Sequence, residues 1–350
     1  MLTEPNKKLN NSILFAIYIL LSSLFTSLTG FGQNANAGST KPDFFDTTLP
    51  ITIELIINFD VLNEAKTPLN DYRQAYLSYW NEDNKVAKLK IKVKRRASSR
   101  DSLKCGFPLL TLNFPKEKVL ATPFAGLDKV HLVTPCHTND SCRNDQVLLE
   151  YACYRSYAHL TDFSIRVRLV KITLADSSNQ QNKLHFTGFL IEDDEVFMRR
   201  YGAKILKIGN LQLSFTDRPS LNTIAMFQYM IGNTQRSITT LYKIKLVSLA
   251  GKSLIPVPFE FSQCGLVNAQ LAKPAPYLNI TDVRSRQFMG LKMPNNEYLD
   301  VKLMFNNSKQ QIINEFESLE LSSYAQKKQA IEYINTFFEE LNSNPGKFVE

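Results

Sequence analysis

Glycine is scarce in this chain, with 13 among 350 residues. That scarcity argues against a solenoid or a Gly-rich low-complexity protein, and no internal repeat is visible. The familiar catalytic signatures are missing too: there is no G-x-S-x-G, H-E-x-x-H, G-x-x-x-x-G-K-[ST] or G-x-G-x-x-G. The histidines (131, 137, 159 and 185) are scattered, and only His131 and His137 lie close in sequence. Outside the N-terminal segment no apolar run approaches membrane-spanning length, so no transmembrane helix is expected. What is present is a chain 44% hydrophobic, able to bury a substantial core, with a modest net charge of +8.

The first segment reads as an export signal. Lys7 and Lys8 precede an apolar run from Ile13 to Leu28, followed by small residues around Ala35-Asn36-Ala37. Residues 1–37 are therefore expected to be a signal peptide and its cleavage region, and 38–46 a linker. The run is short for a bilayer span and is broken by Ser22, Ser23, Thr26 and Ser27, which favours cleavage over anchoring. The implied destination is the periplasm, the cell surface or the medium, where disulfides form. The five cysteines are Cys105, Cys136, Cys142, Cys153 and Cys264. Cys136 and Cys142 flank a short polar loop that a bridge could close, and one bridge plus buried thiols is the plain reading.

Alternating patterns mark strands at Ile51–Ile57, Ala75–Tyr79 and Val86–Val93. In the third, Lys88, Lys90, Lys92 and Lys94 alternate with Leu89, Ile91 and Val93. Period two places the ammoniums on one face and the aliphatics on the other. Such a face suits phosphate, nucleic acid or an anionic cell-surface polymer. No aromatic residue interleaves within it, so base stacking has no platform and specific nucleic-acid binding is not expected. A solvated edge strand guarded by lysine accounts for the pattern equally well. Further strands are expected at Phe107–Phe114, Lys129–Thr134, Ile165–Leu174 and Leu184–Glu192. Helices are expected at Asp145–Leu160, with Asp145 as its cap, then Glu195–Tyr201, Lys309–Leu321 and Ser323–Leu341.

The stretch from Met226 to Asn268 organises the rest. A helix-like apolar run from Ile224 to Ile231 meets the polar turn Gly232-Asn233-Thr234-Gln235, then two strands and Phe259-Glu260-Phe261-Ser262. Phe227-Gln228-Tyr229-Met230-Ile231-Gly232-Asn233-Thr234, Ser237, Pro258, Phe261 and Gly265-Leu266-Val267-Asn268-Ala269 resemble a bacterial exported family related to the CotH (spore-coat protein H) atypical kinases. That family's pattern reads roughly F-Q-Y-M-I-G-N-T-D-W-S, then H-N, then P-Y-D-F-D-F-S-G-L-V-N-A.

The resemblance implies an α+β, two-lobed protein-kinase-like fold. Residues 47–193 would form a β-rich first lobe and 194–350 a mostly helical second lobe ending in two helices. It also places a phosphate-holding basic residue at Lys129, a helix carboxylate at Glu150 and a hinge at Glu192, which together would contact a nucleotide. A bridge between Cys105 and Cys136 is likewise what the resemblance favours. The catalytic positions are degenerate. Gln235 stands at the loop Asp, Lys243 at the metal-binding Asn, and Glu260 and Ser262 at the two metal-binding Asp. Arg95-Arg96-Ala97-Ser98-Ser99 replaces an Arg-Gly-Asn phosphate loop. Of these positions only Glu260 keeps a carboxylate for a metal.

The implied function is an exported, pseudokinase-like binding or scaffolding module that has lost phosphoryl transfer and needs no cofactor. Its partner would be an unknown protein or an anionic surface. The alternatives are an active CotH-like kinase that binds ATP and Mg²⁺ through rearranged ligands, and a structural cell-envelope protein.

Overall fold

The computed structural model describes residues 43–59, 71–81, 83–96, 108–136, 141–179 and 181–350, with backbone alone for 141–144. The proposed signal segment, the first part of the linker, the turn at Ala97-Ser98-Ser99 and the side chains of Cys105 and Cys142 lie outside them. Cys136 is disulfide-bonded, to a partner outside the described side chains, whereas Cys153 and Cys264 are buried free thiols.

Seven strands carry the first part of the chain: β1 (Ile51–Ile57), β2 (Arg73–Trp80), β3 (Val86–Arg96), β4 (Leu109–Asn113), β5 (Lys129–Val133), β6 (Val167–Asp176) and β7 (Lys183–Glu192). They close into a barrel in the order β1-β2-β3-β4-β5-β7-β6. All neighbours are antiparallel except β1 and β6, which run parallel with Ile51 opposite Val170 and Ile57 opposite Asp176. One alternate set of side chains, including Leu55, Leu77, Val93, Leu112, Val130, Leu132 and Leu174, fills the interior and is fully buried. Between β5 and β7 the backbones run very close, and a Cβ at Gly188 would strike the Val133 carbonyl. Only glycine fits there.

Five α-helices are described: α1 (Ser141–Ala158), α2 (Asp194–Tyr201), α3 (Arg218–Met230), α4 (Asn295–Glu317) and α5 (Tyr324–Ser343). A three-stranded antiparallel sheet in the order β10-β9-β8 joins β8 (Lys204–Leu206), β9 (Ile244–Ser248) and β10 (Ile255–Pro258). Local chemistry sets the helix ends. Asp193 caps α2, which stops at left-handed Gly202, and Asp217 caps α3 with Pro219 in its first turn. A second core gathers α1, α3, α4, α5 and this sheet around Phe227, Phe261, Phe305, Phe316 and Phe337. Leu109, Val133, Val167, Phe189 and Ile191 belong to it, so the β4–β7 flank of the barrel is covered by helices. The β2–β3 flank is not: Gln74, Trp80, Lys88, Lys90 and Lys92 are exposed there.

The expected two-lobed protein-kinase-like fold is therefore corrected. The strands form a closed seven-stranded barrel with a second small sheet and five helices among the described residues, and Pro42–Glu350 forms one compact unit. The reason is physical. Alternation along each strand reads the same in an open sheet and in a barrel, and closure depends on the β1–β6 pairing between segments far apart in sequence. Two smaller differences have similar causes. Helix α4 begins at Asn295 rather than Lys309, because Tyr298, Val301 and Phe305 continue its apolar stripe beneath a polar Asn/Lys surface. Asp145 lies inside α1, and its carboxylate accepts bonds from the Ser322 N–H (2.8 Å), the Ser322 hydroxyl (2.8 Å) and the Ser323 N–H (3.0 Å). It ties α1 to the start of α5 instead of capping its own helix.

Among the described residues no helix is long and apolar enough to cross a membrane.

Candidate functional site

The organising segment builds a tight unit. After α3, Gly232 adopts φ +64° directly against the Tyr333 hydroxyl, where no Cβ could stand. The following turn is tied to the 261–266 turn by bonds from the Gly265 N–H to the Gly232 carbonyl (3.0 Å) and from the Leu266 N–H to the Ile231 carbonyl (3.0 Å). Leu241, Lys243, Glu260 and Asn268 are non-glycine residues with positive φ, all within this segment. Such backbone is costly, and it is held here by the packing around it.

The positions singled out by the resemblance fall in two places. Gln235 sits in the turn, where its N–H donates to Asn233 Oδ1 (3.1 Å) and its amide nitrogen donates to the Lys273 carbonyl (2.9 Å). Lys243 and Phe259 meet at the base of the β9–β10 hairpin, where the Phe259 N–H is bonded to the Lys243 carbonyl (3.2 Å), and Glu260 follows next in the chain. The Glu260 N–H donates to the Tyr154 hydroxyl (2.8 Å), and its carboxylate lies 4.0 Å from the Arg96 guanidinium at the end of β3. Glu150, buried on α1, accepts the Phe261 N–H (3.2 Å). Ser262 is buried in the same turn. Burial pushes the Tyr154 phenol far above its ordinary range, with the Glu150 and Glu260 carboxylates adding to the shift. The structure thus brings Glu150, Glu260, Tyr154 and Arg96 together and leaves Gln235 to the turn.

This donor set does not fit Mg²⁺, which needs several hard anionic oxygens. Glu260 lies beside a guanidinium, Glu150 holds a backbone amide, and Lys243 brings a cation. Among the described residues no group of three or more His, Cys, Asp or Glu side chains is placed to hold a metal ion.

The other expected contacts have different partners. Lys129 pairs with Glu195 (2.9 Å) rather than with Glu150. Glu192 is buried, accepting from the Arg166 N–H (2.7 Å), Arg166 Nε (3.1 Å) and Arg200 Nη2 (2.5 Å). It locks β7 to β6 and α2 as a neutralised buried charge. Nearby, His131 Nδ1 lies 3.0 Å from the Thr111 hydroxyl and its Nε2 lies 3.3 Å from Asp193. Burial holds the imidazole below its ordinary pKa despite Asp193. Burial alone would raise Asp193, but hydrogen bonds from His131 and the Glu195 N–H hold it down to about 2.

The outer β2–β4 face is different in kind. Lys88, Lys90, Lys92 and Lys94 project from β3, which pairs with β2 from Val86 to Val93 and with β4 from Lys92 to Arg96. Tyr76 lies opposite Lys90, Gln74 opposite Lys92, and Lys92 opposite Asn113. The Lys88 ammonium stands 4.6 Å from the Tyr76 ring centre and the Lys94 ammonium 4.9 Å from that of Tyr72. None of the four lysines has an ion-pair partner among the described residues. A shallow depression on this face is lined by Tyr72, Gln74, Lys90, Lys92, Asn113 and Lys118. The sequence showed the lysines but not the tyrosines beside them, which arrive by cross-strand pairing.

No protein-family model matches the chain, and no curated protein matches it either. The resemblance to CotH-related proteins rests on the residues quoted for it.

Proposed function

We propose that this protein is an exported, non-enzymatic binding module that holds a linear polyanion of the cell envelope on the β2–β4 face of its barrel. One observation carries the reading: four alternating lysines share the outer face of β3, Lys88 and Lys90 where it pairs with β2 and Lys92 and Lys94 where β4 flanks it. Protection against edge-to-edge pairing does not explain Lys92, flanked by both β2 and β4 of the closed barrel, or Lys94, flanked by β4. The cations are spaced two residues apart, about 6.6 Å along a strand. Left without carboxylate partners, they are free to take counter-charges from a repeating chain.

The tyrosine rings argue against single-stranded nucleic acid as the partner. Lysine ammoniums already lie over Tyr76 and Tyr72, so those ring faces are not open to a base. The Cys136 disulfide fits an oxidising compartment and so supports export. Loss of phosphoryl transfer is supported by the residue types at Lys243, Glu260 and Ser262, where the one carboxylate lies beside the Arg96 guanidinium.

The test is a titration of the mature protein with a sulfated polysaccharide and, separately, with single-stranded DNA. Replacing Lys88, Lys90, Lys92 and Lys94 together by Gln should weaken polysaccharide binding at least about tenfold, as expected for surface cations worth a few tenths of a kcal/mol or more each. Unchanged polysaccharide affinity in that variant, or tighter binding of the DNA, would refute the proposal.

A further inference from the structure

Two guanidiniums line a cavity of about 230 Å³ between α3, the 236–239 turn and the 289–291 segment, and among the described residues only Arg218 is paired with a carboxylate. Arg218 donates through Nε to Glu297 (2.9 Å), which also accepts from the Asn222 amide (2.6 Å). Arg236 is buried, at 4% exposure, and has no acidic partner among the described residues. Its Nε has no hydrogen-bond partner at all among them.

A buried guanidinium without a counter-charge is an expensive thing to fold around. Desolvation draws its pKa down to about 10, still high enough to keep it charged at neutral pH. The walls beside it are of two kinds. Leu221, Ala225 and Met289 supply apolar surface, while Ser237, Thr239 and Tyr277 bring hydroxyls. The cavity is small against the ~300–1,000 Å³ of pockets that take drug-sized ligands.

We propose that this cavity binds a small organic carboxylate with an apolar body, its carboxylate paired with Arg236. A planar guanidinium suits a carboxylate through two parallel N–H···O bonds. Arg218 is not available to a ligand, since Glu297 already holds it, which leaves Arg236 as the group that would take the carboxylate. The apolar wall excludes a bare, strongly hydrated ion such as inorganic phosphate and favours a body that sheds water on entry. This site belongs to the helical core and is independent of the lysine face on the barrel.

Thermal melting of the full chain with benzoate, benzyl alcohol, hexanoate and inorganic phosphate tests the assignment. A ligand that binds only the folded state raises the melting temperature in proportion to ln(1 + [L]/Kd). Benzoate or hexanoate should raise it in a saturable way, and benzyl alcohol and phosphate should not. Arg236→Met should abolish the carboxylate shift. Leu291→Trp provides a second route should that variant not fold: Leu291 is 51% exposed at the mouth, so the larger ring can block entry without disturbing Arg236. A carboxylate shift that survives either substitution would overturn the proposal. So would an equal shift with benzyl alcohol, or no shift with either carboxylate.

Discussion

The barrel and the helical core use positive charge in opposite ways. On β3 the lysines are exposed at 88, 90 and 92 and half-buried at 94, each cheap to keep charged and each worth little alone. In the helical core Arg236 is buried without a counter-charge among the described residues and so has much to gain from one. The first arrangement suits a long, repeating partner met through many weak contacts. The second suits one small group met through one strong contact. A third case calibrates both: Glu192 shows what a buried charge looks like when the fold itself neutralises it, through Arg166 and Arg200.

Perturbing these sites should separate them, beginning with the largest effect. Glu192→Ala removes the carboxylate from beneath two guanidiniums and should lower stability by about 3–5 kcal/mol in urea unfolding. A loss under about 1 kcal/mol would mean that the network is not a structural anchor.

Arg236→Met should do the reverse. Taking an unpaired charge out of the core leaves a side chain of similar length, so stability should hold or rise by about 1 kcal/mol. If the variant instead unfolds as readily as Glu192→Ala, Arg236 has a partner within the fold and the contrast fails.

Acid unfolding gives a smaller, signed effect. Asp193 sits at about 2, below its ordinary 3.8, so its contribution is present above about pH 4 and is lost as pH falls through 2. Asp193→Asn should therefore give a shallower fall in stability across that window. An identical pH profile in the two proteins would show that the contact with His131 adds nothing.

The smallest effect belongs to the barrel face. Each single Lys→Gln change on β3 should alter folding stability by no more than about 0.5 kcal/mol, because these exposed or half-buried side chains have no ion pair among the described residues. A larger loss would mean that the lysines support the fold rather than a partner.

How much of this was legible in the sequence follows from the range of each signal. The strands from Ile51 to Glu192 were readable because period two is local, and α2 because its Asp cap and apolar face lie within a few residues. The barrel was not readable, since nothing in β1 announces that its partner is β6. β8, Lys204–Leu206, is too short to show a period at all. Motif reasoning gave Lys129, Glu150 and Glu192 to a nucleotide and Glu260 to a metal; in the fold Glu150 holds the Phe261 N–H, Lys129 pairs with Glu195 and Glu192 with Arg166. Arg236 passed unnoticed because an arginine between Gln235 and Ser237 looks like surface; only the packing of α3 against the 289–291 segment buries it. Its one signal was that the resembled pattern carries Trp at that position.

The most direct test of the central claim is the salt dependence of polysaccharide binding by the mature protein and by the variant with Gln at 88, 90, 92 and 94. Binding that releases counterions weakens linearly in log affinity against log salt, with a slope set by the number of charges engaged. The wild-type protein should show a steep slope, and the variant a slope shallower by about one for each lysine that meets the chain. Equal slopes would place the polyanion elsewhere on the molecule and contradict the account.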